Sequence, residues 1–245
     1  MQTTSKKTEP RVAIKPGFVW DGQDAYLFDI DGTLLRSRDR VHFDSVARGV
    51  KRATGFEISL DGVVLHGNTD TGILREACTA AGISPDILEP QVAAILEAMC
   101  ASVAERRHEL DPIVMPGVQN ALRHLAGRGA LLGVATGNLE VIGWIKIEAA
   151  GLREWFRFGG FSDHFPVRSE LIGHAARKAR ALAGDIATVC VVGDTPRDIE
   201  AARVNNLPVI AVATGHFDFD VLQALEPDAC ATSLADLLAD PRSAL

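Results

Sequence analysis

Ala25-Tyr26-Leu27-Phe28-Asp29-Ile30-Asp31-Gly32-Thr33 is an apolar run that ends abruptly in two carboxylates and a glycine. Near-continuous apolarity without alternation predicts a strand buried on both faces, the situation of a parallel sheet covered by helices. Working outward, three more such runs occupy residues 131–136, 188–193 and 208–213, each flanked by Gly, Asp, Asn or Pro and separated from the next by helix-like sequence. The predicted fold class is therefore α/β, with a Rossmann-like parallel sheet as its core.

Roughly 100 residues separate the first run from the second, far more than one crossover helix needs, so a helical cap inserted after the first strand is the economical expectation. Within it Phe43, Val46, Ala47 and Val50 recur at helical spacing, as do Ile73 and Ala77, and Val92, Ile95, Leu96, Met99 and Val103. Pro112, Pro116 and Gly117 mark the return to the core, where residues 118–125 read as a helix. The expected organisation is a mobile leader over 1–17, a core from 18–36 and 113–245, and a cap over 37–112. Gly159-Gly160-Phe161 reads as a short connection.

Ligands of open α/β sheets collect at the carboxyl ends of strands. There the first run offers Asp29 and Asp31, the second Thr136-Gly137-Asn138, and the third Gly193-Asp194-Thr195-Pro196-Arg197-Asp198. Clustered carboxylates repel one another unless a hard cation sits among them, and all-oxygen ligands suit Mg²⁺. With phosphoryl charge partly neutralised, Asp29 is the natural nucleophile, and Asp31 can protonate a departing oxygen and later deprotonate water. Gly32 lets the backbone turn closely, while Thr33 and Thr136 offer donors to phosphate oxygens.

In order and spacing these three segments resemble motifs one, two and four of the haloacid dehalogenase-like superfamily. The helical insert just after motif one resembles the C1-capped branch that includes phosphoglycolate phosphatase and β-phosphoglucomutase. The resemblance implies that Asp29 is nucleophile and metal ligand, that Asp31 is acid/base and binds metal through its backbone carbonyl, and that Asp194 is a third metal contact. Asp198 would support the metal from behind or through water. The Lys-Pro form of the family's third, basic motif is absent; Arg168 within residues 165–171 is the candidate, with Lys146 and Lys178 as alternatives. Related enzymes contact substrate through a cap loop, here His66-Gly67-Asn68-Thr69-Asp70, although Thr69 or Asp70 serves equally well as a helix N-cap. The substrate-binding candidates are thus Gly32, Thr33, Gly137, Asn138, Asn68, Thr69 and Asp70.

The implied function is a Mg²⁺-dependent phosphatase acting on a small phosphorylated metabolite through an aspartyl-phosphate. The alternatives are a β-phosphoglucomutase-like phosphomutase and a non-catalytic binding module. A dehalogenase would not need Asp31, and the imine-forming amine of a phosphonatase has no distinctive counterpart, Lys51 lacking any context that singles it out. Composition narrows the partners: a net charge of −7 over 245 residues argues against a general nucleic-acid or anionic-membrane surface. Cys78, Cys100, Cys190 and Cys230 lie far apart in no metal or disulfide pattern, and no signal peptide or uninterrupted membrane-length apolar stretch is read. A cytoplasmic protein, monomer or homodimer, is expected.

Overall fold

A computed structural model of the protein describes residues 9–240. Its strands are β1 (Val12–Ile14), β2 (Ala25–Phe28), β3 (Leu35–Ser37), β4 (Pro112–Val114), β5 (Leu131–Ala135), β6 (Phe158–Gly160), β7 (Val189–Gly193), β8 (Val209–Val212) and β9 (Ala229–Ala231). Its helices are α1 (Val41–Thr54), α2 (Asp70–Ala80), α3 (Pro85–Leu88), α4 (Val92–Glu105), α5 (Val118–Gly127), α6 (Glu140–Ala149), α7 (Arg168–Ala183), α8 (Pro196–Val204), α9 (Phe219–Gln223) and α10 (Leu234–Ala239).

Seven strands form one sheet in the order β1-β9-β8-β7-β2-β5-β6, parallel throughout except for β1. The four apolar runs of the sequence are its centre, and their side chains divide by the two-residue period of a strand. Tyr26, Phe28, Cys190 and Val192 enter one buried cluster with Leu122 and Leu125 of α5; Leu27, Val189 and Val191 enter the other with Leu171 and Ala175 of α7. Burying each such large side chain stabilises the fold by roughly 1.5–3 kcal/mol, which explains why alternation is absent: both faces are interior.

Two expectations need correction. Residues 12–14 do not belong to a leader, because β1 pairs antiparallel with β9, Val12 opposite Ala231. The strand is three residues long, half-buried and at the sheet edge, too short to show any period; residues 1–8 of the expected leader, like 241–245, lie outside the described residues. Gly159-Gly160 is not a connection but part of β6. A Cβ on Gly159 would fall 2.5 Å from the Phe161 ring, and one on Gly160 2.8 Å from the Ala175 Cβ, so close packing imposes the glycines that make the strand look like a loop.

The chain leaves the sheet through β3 and returns through β4, which pair with each other, Leu35 opposite Val114. Residues 38–111 hang from this ribbon and carry α1 to α4. Val46 and Val50 of α1, Ile73 and Leu74 of α2, and Ile95, Met99 and Val103 of α4 form a third buried cluster, and Leu139, Ile142 and Ile145 at and within α6 complete it. Helix α6 therefore packs against the insert on one side, while Ile147 belongs to the sheet's cluster. Residues Pro85–Glu105 form a helical run long and apolar enough to pass for a membrane span by length and composition; Leu88, Ile95, Met99 and Val103 from it are spent on this cluster.

Candidate active site

Strand β2 ends at Phe28, and the amide of Asp29 donates to the Val192 carbonyl at 2.9 Å, so the pairing with β7 holds the first carboxylate at the strand end. The chain then turns at Gly32, φ +91°, where a Cβ would lie 2.3 Å from an Asp194 oxygen. Only glycine serves both conditions. The Thr214 hydroxyl, on the loop after β8, donates to the Gly32 carbonyl at 2.6 Å, and Thr33 donates to Asp194 at 3.0 Å.

Asp29, Asp194 and Asp198 are buried, and each brings an oxygen within 4.8 Å of the others. One cation stands among them. Arg168, the first residue of α7, donates to Asp198 Oδ1 at 2.5 and 2.9 Å and lies 3.0 Å from Asp29 Oδ1. The second oxygen of Asp198 accepts from the Thr195 amide and hydroxyl at 3.0 and 2.7 Å, closing a capping box at the start of α8. Both Asp198 oxygens are thus engaged, which makes it a support for Arg168 and the α8 turn.

Burial drives the Asp29 carboxyl well above the ordinary carboxylate range, opposed by Arg168 and reinforced by Asp198 and Asp31. Asp194 is raised by burial and then by Asp29 and Asp198. Three buried carboxylates against one guanidinium leave uncompensated negative charge in an all-oxygen donor set, and a hard divalent cation fits that set. Asp29 and Asp194, with an oxygen of Asp198 within 4.8 Å of both, are the side chains that could hold it.

Asp31 is served by a different cation. Lys146 Nζ, buried on α6, lies 2.9 and 2.7 Å from its two oxygens, and Asn138 Nδ2 donates to one of them at 2.8 Å. Withdrawal from bulk water pushes the Asp31 carboxyl up, but Lys146, then His42, and these hydrogen bonds together hold it below its usual range. The choice among three basic residues therefore resolves into a division: Arg168 beside Asp29, Lys146 beside Asp31. Lys178 stands apart, donating to the Gly159 carbonyl at 3.1 Å.

The Thr136 hydroxyl is buried and accepts from Asn138 Nδ2 at 2.8 Å. Gly137 has a packing role: its carbonyl accepts the Asp70 amide at 2.8 Å, and a Cβ there would strike the Asn68 carbonyl at 2.2 Å. Of the loop ahead of α2, Asn68 spends its side chain on local turns, donating to Val64 O and Glu76 and accepting the Thr69 amide. Thr69 lies outside the cavity over Asp29 and is the N-cap of α2, accepting from Gly72 at 3.0 Å and donating to the Pro166 carbonyl at 2.8 Å. Asp70 lines the cavity but is engaged by His42 at 3.0 Å and by the Leu139 amide at 2.8 Å, tying the insert to the start of α6.

A cavity of about 190 Å³ lies between these strand ends and the insert. Its floor is Asp29, Asp31, Asp194, Arg168 and Lys146; its far wall includes His42, Phe43, Leu60, Leu65 and His66, of which the sequence pointed to His66 through the cap loop and to Phe43 only as a helix-face residue. The wall residues carry no local signal, since Phe43 and Leu65 look like any core residue. Thr214 was within reach: it follows the fourth apolar run, whose carboxyl end should hold ligand-facing residues by the same rule as the others.

The sequence profile of the haloacid dehalogenase-like hydrolases matches residues 23–206. A phosphoglycolate phosphatase of Mesorhizobium japonicum is 33% identical over 114 residues, 46% of this chain and half of that protein's length. One of Rhodobacter capsulatus is 26% identical over 200 residues, 78% of this chain and 85% of that protein. The solved structure of a hydrolase from Pseudomonas syringae superposes with a TM-score of 0.60 at 21% identity, covering 89% of this chain and 97% of that one, a likeness of fold. Taken with the carboxylates at the ends of β2 and β7, the match places the chain in the family of haloacid dehalogenase-like hydrolases.

Proposed function

We propose that the protein is a Mg²⁺-dependent phosphatase that hydrolyses a small phosphomonoester through a phosphoryl group carried transiently on Asp29. The observation that carries this is the pairing of Asp29 and Asp31 in one cavity with separate cations, Arg168 for the first and Lys146 for the second. When bound, the metal would supply charge neutralisation for the phosphoryl oxygens. Asp29, held by Arg168, attacks phosphorus and forms an acyl phosphate as the ester oxygen leaves. Asp31 gives that oxygen a proton, then takes one from the water that attacks the acyl phosphate, restoring Asp29 and releasing phosphate.

Lys146 and Asn138 favour the ionised Asp31 required in the second half, while an incoming phosphate dianion raises its proton affinity for the first. Binding energy from Thr136, which lines the cavity, would help fix the phosphoryl group for in-line attack, while Gly32 and Thr33 act through the turn that holds Asp194. Phosphate release from p-nitrophenyl phosphate, with Mg²⁺ and with chelator, tests the proposal. Mg²⁺-dependent release that Asp29→Asn abolishes is expected; equal release with chelator, or an active variant, overturns it.

A further inference from the structure

Five apolar side chains of the insert line the cavity, alongside His42, His66, Gly67, Asn68 and Asp70. Phe43 and Val46 project one turn apart from α1, Leu60 and Leu65 come from the segment between α1 and α2, and Ile73 comes from α2. No Lys or Arg of the insert lines the cavity among the described residues. Of the cations close to this wall in sequence, Arg40 lies with its guanidinium 4.1 Å from the centre of the Phe43 ring and 3.5 Å from Asp44, and Arg75 is paired with Glu89 at 3.0 Å. Arg48, Lys51 and Arg52 line a separate groove with α4.

The ionisable groups that do line the wall offer an anion nothing. His42 is paired with Asp70 at 3.0 Å. His66 stacks on His216 at 4.2 Å with planes 5° apart, and burial, then the neighbouring His216, holds its pKa down. Lys146 and Arg168 are committed to Asp31 and to Asp29 and Asp198. Because Asp31 must reach the departing oxygen, the rest of the leaving group lies beside Asp31, Asp70 and the apolar wall. A carboxylate placed there meets the Asp70 carboxylate and no Lys or Arg of the insert, whereas a hydrocarbon group exchanges water for Phe43, Leu60, Leu65 and Ile73.

From this we infer that the alcohol released by the enzyme is uncharged and apolar next to the ester oxygen, so the substrate is a phosphomonoester of a compact hydrocarbon-bearing alcohol and not of a carboxylated one such as glycolate. The inference rests on the phosphatase proposal and concerns the leaving-group side of the same site. It separates this chain from the phosphoglycolate phosphatases it resembles.

Benzyl phosphate and 2-phosphoglycolate test it, since each joins a CH₂–O–phosphate to one distinguishing group, phenyl or carboxylate. Phosphate release by the full chain with Mg²⁺ should give a kcat/KM roughly 100-fold higher for benzyl phosphate. Leu65→Lys, which puts a cation on the wall, should narrow that ratio by about tenfold, raising 2-phosphoglycolate turnover and lowering that of benzyl phosphate. The wild-type ratio decides even where the variant fails to fold. Equal or reversed preference, with release that still requires Mg²⁺ and Asp29, overturns this inference and leaves the phosphatase proposal standing. No release from these two esters or from p-nitrophenyl phosphate overturns both.

Discussion

The floor and the wall of the cavity are built by opposite means. The floor is ionic and fixed: its carboxylates sit at or just beyond the ends of β2 and β7, strands hydrogen-bonded on both sides and buried on both faces, and its two cations start α7 or lie within α6. The wall carries hydrocarbon side chains between locally paired polar ones, hung from the two-stranded ribbon of β3 and β4 and steadied by α6, Gly137 and the His66–His216 stack. A rigid ionic floor suits a reaction whose charge is the same for every phosphomonoester, and an apolar wall on a separate helical unit suits choice among leaving groups.

The comparison breaks most sharply at Asp29. Asp29→Asn keeps the shape and removes the proposed nucleophile, so kcat should fall by about 10⁴-fold or more while the circular-dichroism spectrum is unchanged. Arg168→Ala leaves Asp29 and Asp198 without their buried partner and should cost about 3–5 kcal/mol of stability in urea unfolding, with Arg168→Lys recovering part of it. Lys146→Met should lower kcat by roughly 10–100-fold, and because Asp31 loses the cation that depresses its pKa, the acidic limb of the pH profile should move to higher pH.

The metal-free protein should also show a pH dependence of stability. Asp29 and Asp194 are raised by burial to about 7 and about 8, above their unfolded values near 4. Their contribution to stability is therefore fully present below about pH 4 and is lost progressively as the pH rises to about 8. With chelator, Tm should decline over that interval, and Mg²⁺ should restore more of it at pH 8 than at pH 5.5, where the carboxyls are still protonated. A Tm that is flat with pH, or a Mg²⁺ effect independent of pH, would mean that these two groups are not the ion's ligands.

The same contrast explains what was legible in the sequence. Residues 25–33, 131–138 and 193–198 announce themselves because a fully buried strand must be apolar until the residue at which it meets the ligand, so polarity changes abruptly there. The Arg168 position was accessible only through the resemblance, as the basic residue standing where the Lys-Pro form of the third motif is absent, and Lys146 only as an alternative, since nothing in a helix sequence says that a lysine near its end turns inward toward a carboxylate on another strand. β1 and β6 escaped notice, the first through brevity and the second through glycines required by Phe161 and Ala175. Thr69 illustrates an ambiguity intrinsic to residue type: the same hydroxyl suits a ligand or an N-cap, and the fold uses it as the cap. The wall was silent because Phe43, Leu60 and Leu65 differ from core residues only in what they face.

The most direct test of the account is the position of the phosphoryl group during turnover. The enzyme, mixed with Mg²⁺ and excess benzyl phosphate and quenched in acid within the first turnovers, should carry one phosphoryl group, and peptide mass mapping should place it on Asp29 in the wild type and find none in Asp29→Asn. A phosphoryl group on any other residue, or phosphate release with no adduct on Asp29 at any quench time, would contradict it.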